Sequence, residues 1–431
     1  MKEQNRARPE YPCMKFEYPE ILRPEELDRY LAMGWFRMRQ SVFTCDILLK
    51  EYSVHNTVWI RTPLQGYNFS KSLRKLMRRN NRRFSSTLMP FFISYEMEEL
   101  YQRYRAGFKG DLSETLHLSF YGEDYILENF NSSKASFQNR TLGNTFTKDF
   151  LQNKQSLSEQ EYEDLDVREP YQEEQEQDSS YHNIFDSWMW QIRDPQNNNK
   201  LVAFSVFDKG ADSIQSIKGV YDYDYSEHSL GLYSMILEMC HGLEEGLKYY
   251  YPGYIAPGCD SFDYKLRFQP AEFWAFDQTW KPFELLNVDS LPAIQTEKKL
   301  LQLWRELQKS EITTNVKWVI SPAFRVIHSD QRLKKSLQDP LYLSYGEEGE
   351  SKYVIRFNIY SQEYEILRCR PIARLRRSMR QDGIFSIPPK ENLQVVHTNE
   401  ILLSKQEIIA DEDMSIIITY LNILLLQDGI L

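Results

Sequence analysis

The order of strand-like and helix-like patterns between residues 185 and 250 constrains the fold more than any other feature. Two apolar segments, FDSWMWQIRD and KLVAFSVFDKG, are joined by PQNNN, which favours a turn, so they predict two neighbouring strands. SIQSIKGVYDYDYS extends the sheet, and LGLYSMILEMCHGLEEGLKY predicts a long helix with one apolar face. Strands, then a helix, then a further strand predict an α/β fold, with helices packed on a mixed sheet.

The first hundred residues predict elements of the same kind. RPEELDRYLAMGW is typical of a short helix with Pro24 in its first turn, and SVFTCDILL and TVWIRTPL are typical of strands. Ser70 can cap the following helix. The apolar stripe of that helix consists of Leu73, Leu76 and Met77.

Several classes of function lack their usual signals. The five cysteines form no C-x-x-C pair, and the seven histidines are too far apart in sequence to suggest metal ligands, so we predict neither a disulfide framework nor a metal site. There is no G-x-x-x-x-G-K-S/T phosphate loop and no G-x-S-x-G nucleophile elbow. The N-terminus is polar, and the longest apolar run, residues 415–426, is too short to span a bilayer. We therefore expect a cytoplasmic protein with no membrane partner.

The net charge of −10 is concentrated in one segment. Residues 159–178 contain ten acidic residues and a single basic one, Arg168, so they contribute −9 and leave −1 for the rest of the chain. The surrounding stretch, 128–180, is poor in apolar residues, which predicts an acidic low-complexity insertion. Binding of nucleic acid elsewhere in the chain is therefore compatible with the overall charge.

Residues 71–83 form a strongly basic segment with seven lysines and arginines. Like charges on one helix repel each other, so an anion would stabilise the helix, and the planar guanidinium of arginine suits phosphate. A helix face that is merely solvated is the alternative. The candidates for phosphate contact are Lys71, Arg74, Lys75, Arg78 and Arg79.

Three stretches resemble the arginyl-tRNA-protein transferase family, which includes a bacterial leucyl-transferring branch. GYNFSKSLRKLMRRN, followed by LYQRY, is similar to the family's basic helix and its later Leu-Tyr-x-Arg-Tyr. VYDYDYSEHSLGLYSMILEM resembles its Tyr-Asp-Pro-Asp-Tyr-Ser and Ser-Leu-Gly-x-Tyr-Ser blocks. YYYPGYIAPGCDSFDYKLRFQPAEF resembles its Tyr-Tyr-x-Gly-Tyr, Cys and Tyr-Lys series. The resemblance covers about residues 20–120 and 185–285.

The resemblance implies a GNAT-like acyltransferase fold and a reaction that transfers an aminoacyl group from tRNA to the N-terminal amine of a protein beginning with Asp or Glu. Arginine is the expected amino acid, charged tRNA and protein N-termini are the expected partners, and DNA is not. No cofactor is expected beyond the aminoacyl-tRNA. We predict four domains: an N-terminal transferase region (1–127), the insertion (128–180), a GNAT-like domain (181–289) and an appended α+β region (290–431), of which the insertion and the appended region lie outside the resemblance.

The chain departs from the family pattern in its N-terminal cysteines, at Tyr223 and in the IAPGC segment. The cysteine pairs that eukaryotic members carry near the N-terminus are represented only by Cys13 and Cys45, so an iron-sulfur or zinc site is not expected. Tyr223 replaces the proline of Tyr-Asp-Pro-Asp, and IAPGC replaces an Ile-His-Ser-Cys-like run, so donor specificity cannot be transferred directly.

The matched positions supply candidate site residues. An aminoacyl ester is already activated, so the enzyme has mainly to orient its substrates and stabilise an oxyanion, which suits tyrosine hydroxyls. We expect tyrosines to line the cleft and aspartates to act as general base, with Lys265 and Arg267 binding the acidic side chain of the acceptor. The catalytic candidates are Asp222, Asp224, Tyr233, Tyr254 and Tyr264, and Tyr221 and Glu238 complete the substrate-binding set. Core packing for each tyrosine and turn chemistry for the two aspartates are the alternatives.

Two other functions remain open at this stage. A GNAT-type acetyltransferase would need a Gly-rich turn for pyrophosphate, where SLGLYS offers one glycine. A non-catalytic homologue that binds tRNA or degrons would bind tRNA without transferring an amino acid.

Overall fold

The computed structural model describes residues 14–50, 53–108, 112–122, 183–309, 316–321, 336–346, 349–374, 395–398 and 400–427. The insertion predicted for 128–180 and Cys13 lie outside the described residues. The chain divides into two compact units: unit 1 comprises residues 1–16, 43–60 and 254–431, and unit 2 comprises 17–42 and 61–253. Each unit combines segments that are distant in sequence. The sequential division into four domains stays a prediction.

The α-helices of the described residues follow the sequence patterns closely. They are α1 (Pro24–Ala32), α2 (Lys71–Arg83), α3 (Tyr95–Gly107), α4 (Leu116–Phe120), α5 (Leu230–Glu244), α6 (Pro292–Leu307) and α7 (Met414–Gln427). Short 3-10 helices span Tyr223–His228 and Asp260–Arg267, among others. None of the described helices combines the length and apolarity needed to cross a membrane.

The strands of the described residues belong to several sheets. They are β1 (Met14–Glu17), β2 (Phe36–Met38), β3 (Ser41–Cys45), β4 (Ile47–Lys50), β5 (Ser53–Asn56), β6 (Val58–Pro63), β7 (Ser85–Pro90), β8 (Ser187–Asp194), β9 (Lys200–Lys209), β10 (Ser213–Tyr221), β11 (Tyr249–Ile255), β12 (Glu272–Trp274), β13 (Trp280–Pro282), β14 (Lys317–Ile320), β15 (Leu341–Tyr345), β16 (Lys352–Asn358), β17 (Glu363–Arg374), β18 (Val395–His397) and β19 (Glu400–Asp411). The boundary between the units passes through β6 and β11.

Unit 2 is built on a mixed sheet with the strand order β6-β11-β10-β9-β8-β7. Strands β7 to β10 are antiparallel, whereas β10 and β11 run parallel because α5 connects them. Helices α3 and α5 cover the two faces of the sheet. Met189 packs in the cluster of α3 and Ile192 in that of α5, and residues three apart on a strand point to opposite faces.

Unit 1 contains a second mixed sheet with the order β18-β14-β15-β16-β17-β19. Its strands are antiparallel except for β14 and β18, which pair in parallel. The apolar sides of α6 and α7 pack on this sheet, with Leu300, Leu303 and Leu421 fully buried in the same core cluster. Hairpins β4-β5 and β12-β13 also belong to this unit.

The structure confirms the predicted class, α/β with mixed sheets. The turn at PQNNN is formed, and Asn198 and Asn199 take the left-handed conformation there with φ of 48° and 55°. Pro24 lies in the first turn of α1, as predicted. The long helix ends before Gly246, whose φ of 70° suits a residue without a side chain, and β11 begins three residues later.

Candidate functional site

Helix α2 of unit 2 has the two faces that its sequence predicts. The side chain of Ser70 caps its N-terminus by accepting a hydrogen bond from the backbone N–H of Leu73. Leu73 and Leu76 are buried against the unit, and Met77 is half-buried. The opposite face carries exposed cations: Lys71, Arg74, Lys75, Arg78 and Arg79.

These cations are not neutralised within the described part of the chain. Arg74 donates to the carbonyl of Phe69 at 2.8 Å, and Arg79 donates to the carbonyl of Glu227 at 3.0 Å. Neither contact cancels a charge, and no described carboxylate forms an ion pair with any of the five residues. The face is therefore a positive surface that an external polyanion can occupy.

Asp222 lies at the carboxyl end of β10, where its side chain is buried between two cations. Lys200 Nζ donates to Asp222 Oδ2 at 2.8 Å, and Arg103 Nε lies 3.7 Å from the same oxygen. Burial would raise the pKa of Asp222, but the hydrogen bond and charge of Lys200 and the charge of Arg103 hold it below the ordinary value. Asp222 is therefore an ionised carboxylate at neutral pH.

Asp222 also organises the turn that follows. Its Oδ1 accepts a hydrogen bond of 3.1 Å from the backbone N–H of Asp224. Asp222 thereby caps the N-terminus of the 3-10 helix Tyr223–His228. The side chain of Asp224 is exposed. The turn chemistry weighed for these aspartates is thus present at Asp222, whereas Asp224 presents its carboxylate to solvent. A role in proton transfer stays a prediction for both.

Tyr221 belongs to a group of three tyrosines beside Asp222. The ring of Tyr104, on α3, lies 5.3 Å from that of Tyr221 and is stacked on that of Tyr223 at 5.5 Å with an interplanar angle of 7°. A Cβ at Gly107 would lie 2.5 Å from the Tyr223 ring, so the close approach of α3 requires glycine there. All three rings are half-buried.

Two other candidates of unit 2 lie inside the core. The Tyr233 ring is buried and its hydroxyl donates to Asn81 Oδ1 at 2.7 Å, which links α5 to α2. Glu238 is fully buried, and its Oε2 accepts a hydrogen bond of 2.7 Å from the Tyr250 hydroxyl. Burial raises the pKa of Glu238 to about 7. Direct contact of either residue with a substrate stays a prediction.

Strands β10 and β11 separate along their length. They pair at three positions, Ser213 with Tyr249 through Gln215 with Tyr251, and β10 then continues to Tyr221 bonded only to β9 on its other side within the described residues. Pro252 has no N–H to donate and follows the last pair. Ligands of open sheets bind in the crevice at the carboxyl ends of parallel strands, which is where Tyr221 and Asp222 lie.

The remaining candidates belong to unit 1. Lys265 is half-buried, donates to the carbonyl of Tyr254 at 2.8 Å, and lies 5.2 Å and 5.4 Å from the ring centres of Tyr254 and Phe262. Burial lowers the pKa of Lys265 to about 8. Tyr264 and Arg267 are exposed on the 3-10 helix Asp260–Arg267.

The candidates thus form two groups, one in each unit. Unit 2 brings Tyr221, Asp222 and Asp224 together and carries the cations of α2, and unit 1 holds the set around Lys265. Sequence reasoning missed Lys200 and Arg103 as partners of Asp222. Arg103 lies within the LYQRY block, but Lys200 carried no recognisable signal. No three His, Cys, Asp or Glu side chains among the described residues form a group that would hold a metal ion.

Unit 2 is therefore an α/β unit with two functional features. It carries the basic helix α2, and it places Tyr221 and Asp222 at the carboxyl end of the central strand β10. Residues 96–275 match the family model described as arginine-tRNA-protein transferase, C terminus. The chain is also similar to bacterial proteins named aspartate/glutamate leucyltransferase. These matches place residues 96–275 in the aminoacyl-tRNA-protein transferase family, which includes the bacterial leucyltransferase branch.

The similar proteins are matched over part of their length. The Leptospira interrogans protein is 35% identical over 75 residues, which are 17% of this chain and 29% of that protein. The Gluconacetobacter diazotrophicus protein is 34% identical over 107 residues, which are 25% of this chain and 39% of that protein. The structure of L-PGS from Bacillus licheniformis aligns with a TM-score of 0.26 and 11% identity over 53% of this chain and 50% of that one. The GNAT-like fold stays a prediction.

Proposed function

We propose that this protein transfers an amino acid from charged tRNA to the N-terminal α-amine of proteins that begin with Asp or Glu. The observation that carries the proposal is the position of Tyr221, Asp222 and Asp224 at the carboxyl end of β10, where β10 and β11 have separated, in the same unit as the unneutralised cations of α2. A carrier with many phosphates and a small reacting group at its end matches a positive surface and a group of polar side chains beside the separated strands in one unit.

Arginine is the proposed donor amino acid. The description of the matching family model names arginine, whereas the similar curated proteins are named leucyltransferases. The proposal of arginine therefore rests on the SLGLYS and YYYPGY blocks, which resemble the arginyl branch. A GNAT-like arrangement of unit 2 is part of the proposal and is supported by the two parallel strands that separate. The proposed reaction takes place in the cytoplasm and uses no cofactor beyond the aminoacyl-tRNA.

The proposed reaction is an aminolysis of an ester. The nitrogen of the acceptor's α-amine forms a bond to the carbonyl carbon of the aminoacyl group. The bond from that carbon to the 3′ ribose oxygen of tRNA breaks, and the ribose oxygen leaves with a proton. The amine has a reference pKa of about 7.7 to 8.0, so part of it is neutral at cellular pH. Asp224, whose carboxylate is exposed, is the proposed acceptor for the proton that the amine loses.

Lys265 and Arg267 are the proposed partners of the acceptor's acidic side chain. The ammonium of Lys265 already has one hydrogen bond, to the Tyr254 carbonyl, and it retains two further donors. Arg267 is exposed and can pair with a carboxylate in a bidentate way. Tyr254 and Tyr264 are the proposed hydrogen-bonding groups for the peptide backbone.

The test combines two donors and several acceptors. The purified protein is incubated with tRNA charged with labelled arginine or leucine and with peptides that begin with Asp, Glu, Lys or Arg. We expect labelled arginine on the Asp and Glu peptides only. Labelled leucine on these peptides would change the donor amino acid but preserve the reaction class. If acetyl-CoA stabilised the protein in a thermal-shift assay and no aminoacyl group were transferred, the proposal would be overturned.

A further inference from the structure

A hydrogen-bonded group around the buried carboxylate of Asp194 holds the end of helix α2 against the turn that follows Asp222. Arg83, in the last turn of α2, donates to both carboxylate oxygens of Asp194, with a distance of 2.6 Å to Oδ2. The Tyr225 hydroxyl donates to the same Oδ2 at 3.0 Å. We refer to Arg83, Asp194 and Tyr225 as the clasp.

The hydrogen bonds of the clasp keep Asp194 ionised and orient the Tyr225 hydroxyl. The Asp194 side chain is fully buried, which would raise its pKa, but hydrogen bonds from the Gln196 backbone N–H, Tyr225 and Arg83 keep the pKa below the ordinary value. Asn197 donates to the Tyr225 hydroxyl at 3.0 Å, so that oxygen accepts one hydrogen bond and donates the other. The tyrosine hydroxyl therefore has a single orientation.

A second set of contacts holds the far end of the same turn. Asn80 Nδ2, in α2, donates to the His228 carbonyl at 2.8 Å. The ring of Phe84, directly after α2, lies 5.0 Å from the His228 ring and 5.9 Å from the Tyr225 ring in edge-to-face arrangements. Helix α2 and the residue after it therefore hold the 3-10 helix Tyr223–His228 in its middle, at Tyr225, and at its C-terminal end, at His228.

We propose that Tyr225 and Asp194 are positioning residues that couple the basic helix to the turn carrying Asp222 and Asp224. This inference rests on the proposed function. A polyanion on the exposed face of α2 removes the repulsion among the cations and so stabilises the last turn of the helix, which contains Arg83. Because the clasp joins that turn to Tyr225, binding of the carrier further restrains the turn that carries the aspartates before the acceptor amine reacts.

The test uses Tyr225→Phe, which removes one hydroxyl and leaves the Arg83–Asp194 pair intact. Tyr30→Phe is the matched control, because the Tyr30 hydroxyl also donates to a carboxylate in unit 2, that of Glu17. Asn197→Ala removes only the side chain that donates to the Tyr225 hydroxyl. It should weaken the coupling in the same direction as Tyr225→Phe, by a smaller amount. Circular dichroism and thermal melts verify that each variant is folded.

Two measurements distinguish coupling from a merely structural role. Uncharged tRNA should slow amide hydrogen exchange at residues 222–228 in the unaltered protein and in Tyr30→Phe, and this protection should be lost in Tyr225→Phe. The kcat for transfer should fall about tenfold in Tyr225→Phe, as expected for one hydrogen bond to a charged group, while the dissociation constant for tRNA stays unchanged.

The outcomes separate this inference from the proposed function. Equal protection by tRNA and equal kcat in Tyr225→Phe and the unaltered protein would overturn the coupling. If the unaltered protein transfers no amino acid but tRNA protects residues 222–228 only when the Tyr225 hydroxyl is present, the coupling holds and the proposed function fails.

Discussion

Glu238→Gln is expected to stabilise the protein more as the pH rises. Glu238 is fully buried on α5, and burial raises its pKa from 4.5 to about 7. The unfolded chain loses this proton near pH 4.5, whereas the folded protein keeps it up to about pH 7. Between these values the folded state binds more protons than the unfolded state, so the free energy of unfolding falls with rising pH.

The size of the effect follows from the pKa shift. Each pKa unit corresponds to about 1.4 kcal/mol, so the free energy of unfolding should fall by about 2 to 3 kcal/mol between pH 5 and pH 8 through this group. Glutamine carries no charge at either pH and can still accept the hydrogen bond from Tyr250. The variant should therefore resemble the unaltered protein at pH 5 and exceed it by about 2 to 3 kcal/mol at pH 8.

The assay is denaturant-induced unfolding at pH 5, 6, 7 and 8, monitored by tryptophan fluorescence. Glu244→Gln, an exposed position on the same helix, controls for the loss of a negative charge. A constant difference between Glu238→Gln and the unaltered protein at all four pH values would refute the reasoning, as would a difference that shrinks towards pH 8.

Three further predictions concern the two groups of candidate residues. The double variant Lys71→Glu/Lys75→Glu should raise the dissociation constant for tRNA of any sequence about tenfold and reduce the salt slope by about 2, measured by filter binding; unchanged affinity would make α2 a merely solvated face. Asp222→Asn should lower kcat by about 10² and the free energy of unfolding by about 1 to 2 kcal/mol, because it loses the charge that pairs with Lys200; kinetics and chemical denaturation test both. Lys265→Ala should abolish transfer to Asp and Glu peptides without changing tRNA affinity, and in the unaltered protein the KM for an Asp peptide should rise above pH 8, where Lys265 loses its proton; transfer equal to that of the unaltered protein would discard this role.

Local pattern was sufficient to predict most elements of the fold. The 3.6-residue spacing of Leu73 and Leu76 defines the buried side of α2, and both residues are buried. The apolar run 415–426 lies in helix α7, and the alternating apolar segments KYVIRFN and EYEILRCR lie in the strands β16 and β17. These elements follow from periodicity and turn chemistry, which act over a few residues.

The contacts that define the candidate site depend on residues far apart in sequence. Asp194 meets Arg83 across 111 positions and Tyr225 across 31, so neither partner can be identified from local pattern. The sequence assigned a site role to both Asp222 and Glu238 but gave no sign of their different ionisation. Lys200 holds Asp222 ionised, whereas burial raises the pKa of Glu238 to about 7. Such differences depend on tertiary packing, as does the assembly of each unit from segments that are distant in sequence.

The central claim is that unit 2, with Tyr221, Asp222 and Asp224 at the carboxyl end of β10, joins an aminoacyl group from tRNA to a free protein N-terminus. Mass spectrometry of an Asp-initiated peptide, incubated with the protein and arginyl-tRNA, measures this directly. We predict a peptide extended by one arginine at its α-amine, and no such product from the same peptide with an acetylated N-terminus. An unextended peptide with both arginyl-tRNA and leucyl-tRNA, under conditions in which the protein binds tRNA, would contradict the claim.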